Sequence, residues 1–253
     1  MPNRNFQGAS QPSLSLGWAA AELECWLSRT MLRIIGACFG LVLMNASLAA
    51  DYDQSMGHLM VVLREVEGAN KQDGTLKAAG PTKATLPSGE EVEMTPAWFD
   101  FIGDMQIRFV YDSPTSMRGL TAQEFAALKM SPEEALTVAI RNIKRVYGSP
   151  VVSPWLRGVM LVSGESPDLD SSYFLDADFW QQQLKLHPDG LVVGVPKRGG
   201  LVFVPLADEK EVSGLRKSIG PLYASSEHMR VSSALYLFKG GHWSVFQDPI
   251  GAK

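Results

Sequence analysis

Cysteine is almost missing from this chain: its 253 residues include two, Cys25 and Cys38. Both lie before residue 50, so from Asp51 onward there is no thiol to supply a disulfide, a cysteine-ligated metal or a cysteine nucleophile. Net positive charge is lacking too. Lysine and arginine total 23 against 27 aspartate and glutamate residues, a formal charge of −4, and no basic run occurs. That balance argues against nucleic acid and anionic membrane surfaces as partners. The motifs Gly-x-Ser-x-Gly and His-Glu-x-x-His are absent, as are a glycine-rich phosphate loop and a dinucleotide fingerprint, so the common nucleophilic, zinc and nucleotide chemistries have no sequence support. A long apolar run is the last deficit: the stretch Ile34 to Met44 meets Asn45 well before the ~20 residues of a spanning helix.

That short apolar stretch has its own meaning. Met31-Leu32-Arg33 precedes it and Asn45-Ala46-Ser47-Leu48-Ala49-Ala50 follows, which is the order of a secretory signal peptide over residues 31–49 with cleavage after Ala49. Residues 1–30 carry Glu22, Glu24 and Trp26, foreign to a basic leader, and read as an upstream extension with translation starting at Met31. Removal of the leader leaves a chain one unit more acidic, exported to the periplasm or beyond, with no stable membrane span. About 200 residues bury roughly 70% of their unfolded surface, enough to fold without disulfides.

Downstream, Met56, Leu59, Met60, Leu63 and Val66 fall at helical spacing and predict an amphipathic helix from Asp51 to Gly68, with His58 within it. Residues 69–95 are rich in Gly, Pro, Lys, Thr and Ser and read as an irregular connection with a hairpin at Pro87-Ser88-Gly89, so 50–100 is assigned to a leading segment and 101–253 to the main domain. Trp98-Phe99-Asp100-Phe101 is a packing segment. Alternation of Met105, Ile107, Phe109 and Tyr111 predicts a strand. Thr121 to Glu124 and Ser131 to Glu134 match the capping box, the second with Pro132 at the first helical position and a stripe of Leu136, Ala139, Ile140, Ile143 and Tyr147 behind it. A strand over Leu156 to Val162 follows, then a helix from Asp176 to Leu186. Leu191 to Val195 and Leu201 to Val204 form a hairpin apolar on both faces. A helix from Ala207 stops at Gly220-Pro221, and strands at Met229 to Phe238 and Trp243 to Phe246 flank Gly240-Gly241. Strand pairs separated by helices predict an α+β fold, a mainly antiparallel sheet with helices packed on it.

Phe101-Ile102-Gly103-Asp104-Met105, Phe109-Val110-Tyr111-Asp112, Ala139-Ile140-Arg141-Asn142-Ile143, Gly190 to Arg198, Leu235-Tyr236 and Gly241-His242-Trp243 occur in that order. In these residues, over about 101 to 247, the chain resembles the YtpQ-like family of bacterial proteins. The resemblance implies an α+β fold and no established activity. The leader and the short segment Asp170 to Trp180 depart from the family's pattern.

Polar clusters supply the candidate sites. Asp168 and Asp170, with Glu165, Asp176 and Asp178 nearby, place carboxylates at alternate loop positions suited to a hard cation such as calcium, although Tyr173 stands where an EF-hand loop needs glycine. The competing reading is a solvated turn with acidic residues capping the next helix. Lys197 and Arg198, beside Gly199-Gly200, are placed to hold an anionic ligand or partner at a hairpin tip. Asn142 is out of character in an apolar stripe and either bonds across the core or lines a pocket. Among the histidines, His187, His228 and His242 offer bases near Ser225, Ser226 or Asp248. The preferred reading is an exported, non-enzymatic domain of the cell envelope that binds a protein or small ligand and needs no cofactor. The alternative is an envelope hydrolase, with or without a metal, using the Asp168 and Asp170 cluster with a histidine, His242 and Asp170 being the catalytic candidates.

Overall fold

The computed structural model describes residues 55–86 and 88–252, which belong to a unit spanning Gln54–Lys253. The expected signal peptide and upstream extension lie outside the described residues. The fold is α+β, with antiparallel sheets and several helices. No helix among the described residues is long and apolar enough to cross a membrane.

The first sheet is built around β6 (Met105–Ser113). Along one side runs β1 (Leu59–Glu65), with Val62 opposite Arg108; along the other lie β5 (Trp98–Asp100) and β7 (Ser116–Gly119), and β2 (Lys77–Ala78) extends β5. The predicted helix at Asp51 to Gly68 is therefore corrected. A short 3-10 turn at Ser55–His58 leads into a strand, because Leu59-Met60-Val61-Val62-Leu63 is apolar at every position and all five residues are buried, a pattern suited to a covered strand rather than to one helical stripe. His58 is exposed at the end of that turn. β1, β2 and β5 fall within the expected leading segment yet share a sheet with β6, so residue 100 is no boundary within this unit. Between them, β3 (Thr82–Thr85) and β4 (Glu91–Met94) form the small hairpin expected around residue 87.

Two capped helices follow. In α1 (Ala122–Ala127) and α2 (Pro132–Tyr147) the capping boxes are complete: Thr121 Oγ1 accepts from the Glu124 N–H at 3.2 Å, and Ser131 Oγ from that of Glu134 at 3.1 Å, with each glutamate accepting from its cap residue's N–H at 2.8 Å. Each box contributes about 1 kcal/mol to its helix. α2 buries Ala135, Ala139, Ile140, Asn142 and Ile143 and packs along β1.

The second sheet runs β13 (His242–Gln247), β12 (Leu235–Lys239), β10 (Leu191–Lys197), β11 (Gly200–Pro205), β9 (Val159–Ser163), β8 (Val151–Leu156), each antiparallel to its neighbour. The β10–β11 hairpin is central and buried on both faces, as its apolar run requires. The single strand predicted at Leu156 to Val162 is instead a hairpin. Arg157 and Gly158 both have positive φ, 44° and 81°, and turn the chain back on itself. α4 (Glu209–Ala224) runs through Gly220-Pro221 rather than stopping there, and β12 begins only at Leu235, after a 3-10 turn at Glu227–Met229.

α4 covers one face of this sheet, packing Val212, Leu215 and Ile219 on Val192, Val202 and Val204. The other face shares the main core with the first sheet, α2, the 3-10 segment Asp170–Leu175 and α3 (Ala177–Leu186). Trp180 is wholly buried there, its rings edge-on to Phe174, Phe179, Phe203 and Trp243, with Nε1–H donating to Tyr173 O at 2.9 Å. A polar knot joins the two sheets. Asp104, 3% exposed, accepts hydrogen bonds from the Ser232 hydroxyl, from Tyr236 Oη at 3.0 Å and from the Ser233 N–H at 3.3 Å. Gly103, at φ 63°, makes the approach possible, since a Cβ there would lie 2.5 Å from Tyr236 Oη. Burial raises the pKa of the Asp104 carboxyl, partly offset by these donors.

Candidate functional site

The outer face of the first sheet meets the tip of the second sheet's central hairpin, and a cavity of about 400 Å³ opens where they meet. It is lined by Val62 and Arg64 of β1, Trp98 of β5, Arg108 and Val110 of β6, Met117 and Gly119 of β7, Asp168 of the loop after β9, and Arg198 of the hairpin tip. Antiparallel register explains the first group. Val62, Arg108 and Trp98 are directly opposed across three strands, and Arg64 and Val110 lie two residues along on the same face.

Three arginines thus converge on one cavity, each held differently. Arg108 stacks its guanidinium on the Trp98 ring, 3.7 Å from the centroid, while its Nε–H donates to Gln106 Oε1 at 2.8 Å; Gln106 is itself fixed by donating to Asp100 Oδ1 at 3.2 Å. Arg64 donates through Nη1 to Leu63 O at 2.7 Å. Arg198 is positioned by its backbone: its carbonyl accepts from the Ser171 N–H at 2.7 Å, and its own N–H donates to Met229 O at 3.0 Å. Its Nη2 reaches His228 O at 3.3 Å, while Nε is buried with no hydrogen-bond partner.

None of the three forms an ion pair among the described residues. The electrostatic consequence is direct. Burial, then repulsion from Arg198 and Arg108, brings the Arg64 guanidinium down to about 10, and Asp168 opposes this only in part. Arg108 is lowered as well, by burial and by Arg198. Like charges gathered in a half-buried cavity bind anions, since an incoming negative charge relieves repulsion and receives forked N–H donors.

The sequence-predicted residues separate accordingly. Arg198 and Asp168 lie in the cavity. Lys197 points elsewhere, into a neighbouring cavity with Trp155, Leu161, Leu222 and Met229. Asp170 is buried, and its Oδ1 accepts from the Gly164 N–H at 2.7 Å, closing the loop that carries Asp168; burial raises its pKa. No group of three or more His, Cys, Asp or Glu side chains suited to a metal ion occurs among the described residues. Asn142 is buried and donates to Met56 O at 2.8 Å and Leu59 O at 2.9 Å, tying α2 to the start of β1. His242 is exposed at the β12–β13 turn, opposite Lys239, and makes no hydrogen bond with Asp170. Arg64, Arg108 and Trp98 went unmarked as site residues in the sequence, where they read as part of a helix, a strand and a packing segment; only the register of β1, β6 and β5 brings them together. No protein-family model, curated protein or solved structure matches the chain.

Proposed function

We propose that the protein is an exported binding domain whose ligand is a small anion, held by Arg64, Arg108 and Arg198. The observation that carries this reading is the convergence of three guanidiniums, none ion-paired among the described residues, on one cavity of about 400 Å³. That volume lies in the range of small-molecule sites, ~300–1,000 Å³. The concave shape and the chain's net acidity favour a small ligand over a polyanion.

Thermal unfolding in sodium sulfate against sodium chloride at matched ionic strength tests the binding. Sulfate also strengthens apolar burial in general, so the comparison is repeated in Arg108→Gln. A sulfate-specific rise in Tm in the wild type, at least halved in the variant, supports the site. An equal rise in both overturns it. Export is tested by the mass of the protein from its host's envelope fraction. A chain beginning at Ala50 or Asp51 supports it, and one retaining Met31 overturns it.

A further inference from the structure

We infer that the anion is a phosphomonoester dianion on a small organic body, an inference that rests on the anion-binding reading above.

Charge points first to a dianion. Three guanidiniums face a single lining carboxylate, the exposed Asp168, which leaves the cavity with two formal positive charges. A phosphomonoester carries about −1.5 to −2 at neutral pH, whereas a carboxylate or sulfate ester carries one negative charge.

Geometry points to a tetrahedral group. Arg64 and Arg108 project from neighbouring strands on one face of the first sheet and Arg198 from the hairpin tip that meets it, so the three reach the cavity from two elements and not along a single row. Each keeps two nitrogens without a hydrogen-bond partner among the described residues: Nε and Nη2 on Arg64, both terminal nitrogens on Arg108, Nε and Nη1 on Arg198. A planar carboxylate has two oxygens and would engage two forks. The three terminal oxygens of a phosphomonoester offer one to each arginine. Arg108 is the best prepared, because the Trp98 stack and the Gln106 bond fix its plane before any ligand arrives.

The rest of the lining argues for an organic body. Beside the charged wall, Val62 and Val110 supply buried apolar surface and Met117, 38% exposed, forms a flexible rim, so a group bonded to the phosphate has somewhere to pack. The neutral face of the cavity would be superfluous for bare phosphate.

The test is isothermal titration of the full chain with phenyl phosphate, phenyl sulfate and inorganic phosphate. Phenyl sulfate matches phenyl phosphate in shape but holds one charge at every pH used. The expected result at pH 7.5 is phenyl phosphate at least tenfold tighter than either of the others. Its advantage over phenyl sulfate should shrink towards pH 5 as the phosphate regains its second proton, near pKa ~6. Taking the ratio at each pH reduces what the lining groups Arg64, Arg108, Arg198 and Asp168 contribute to the difference between their action on a dianion and on a monoanion. Arg198→Gln keeps the backbone bonds of the hairpin tip and should lose at least tenfold for phenyl phosphate, with an unchanged far-ultraviolet spectrum. Equal affinity for phenyl sulfate overturns the dianion while leaving an anion site intact. Equal affinity for inorganic phosphate overturns the organic body and assigns the site to free phosphate. No binding of any of the three, or binding indifferent to Arg198→Gln, overturns both this inference and the reading beneath it.

Discussion

Replacing Asp168 by asparagine should tighten anion binding, an unusual outcome for a substitution inside a binding site. Among the described residues the carboxylate is the only negative side chain lining the cavity, and it acts as a partial counter-ion that a ligand must oppose. Taken as a cube, a cavity of about 400 Å³ has an edge of about 7 Å, and two unit charges at that separation interact by about 0.6 kcal/mol in water. Asp168 is exposed, so the watery limit applies. Removing it should therefore improve affinity for a monoanion by about 0.6 kcal/mol, roughly threefold, and for a dianion by about 1.2 kcal/mol, roughly sevenfold. Isothermal titration at low salt with phenyl sulfate and phenyl phosphate measures both. Raising the salt to ~1 M, where the Debye length is ~3 Å, should remove most of the gain. Unchanged or weakened affinity in Asp168→Asn would show that the carboxylate does not face the bound charge, and the electrostatic account of the cavity would fail.

Other consequences can be checked separately. Trp98→Leu removes the surface on which Arg108 stacks and should weaken phenyl phosphate by about 1 kcal/mol, roughly fivefold, in the same titration, with little change in Tm because Trp98 is only half-buried. Asp104 has its folded pKa raised above the ordinary 3.8, so the native state holds that proton more tightly than the unfolded chain does. The stability associated with the neutral carboxyl is complete below 3.8 and is lost as pH rises through the folded pKa. Asp104→Asn stays neutral, can accept from the Ser233 N–H and can donate to the Ser232 and Tyr236 hydroxyls; urea unfolding from pH 4 to 8 should show it gaining on the wild type as pH rises, and the opposite trend would refute the sign. Trp180→Ala empties the centre of the aromatic cluster and should cost about 3–5 kcal/mol by urea unfolding.

How much of this was legible before the structure depends on the range of the interaction. α2 was legible because its signals are local: Ser131, Pro132 and Glu134 start it, one stripe buries it and Gly148 ends it. The β10–β11 hairpin was legible for the same reason, its two apolar runs being separated by a glycine loop. β1 was not. Five consecutive apolar residues satisfy a helical template at some positions whatever they form, and what decides the matter is pairing with β6, which lies far along the chain. The β8–β9 turn was missed because Arg157 adopts a positive φ that its identity does not advertise. Helix α4 runs on past Gly220-Pro221 to Ala224, where the Tyr223 hydroxyl donates to Glu65 of β1 and its ring carries Arg230, contacts distant in sequence that a local stop signal does not register.

The site follows the same rule, and the reason bears on its function. Arg198 could be singled out because a glycine-flanked basic pair at a hairpin tip is unusual in itself. Arg64 and Arg108 could not: Arg64, between Leu63 and Glu65, reads as the polar side of a predicted helix, and Arg108, between Ile107 and Phe109, is how any half-exposed strand looks. Only the pairing of Val62 with Arg108, and of Trp98 with Arg108, brings Arg64, Arg108 and Trp98 onto one wall, which Arg198 meets from the hairpin tip. That wall runs against the fold's own stability. Partial burial and mutual repulsion lower the charge-holding tendency of Arg64 and Arg108, and a neutral side chain at either position would relieve it. Several local choices elsewhere do agree with the global structure: the caps of α1 and α2 are complete, Asn142 is satisfied, and Lys144 meets the buried Asp176 at 3.0 Å. A cluster of like charges that costs stability is expected where something other than stability is served. Here the cluster consists of three cations without an ion pair among the described residues, one of them already stacked and braced, and on the proposed reading the energy given up in the unliganded fold is what would reappear as affinity when an anion enters.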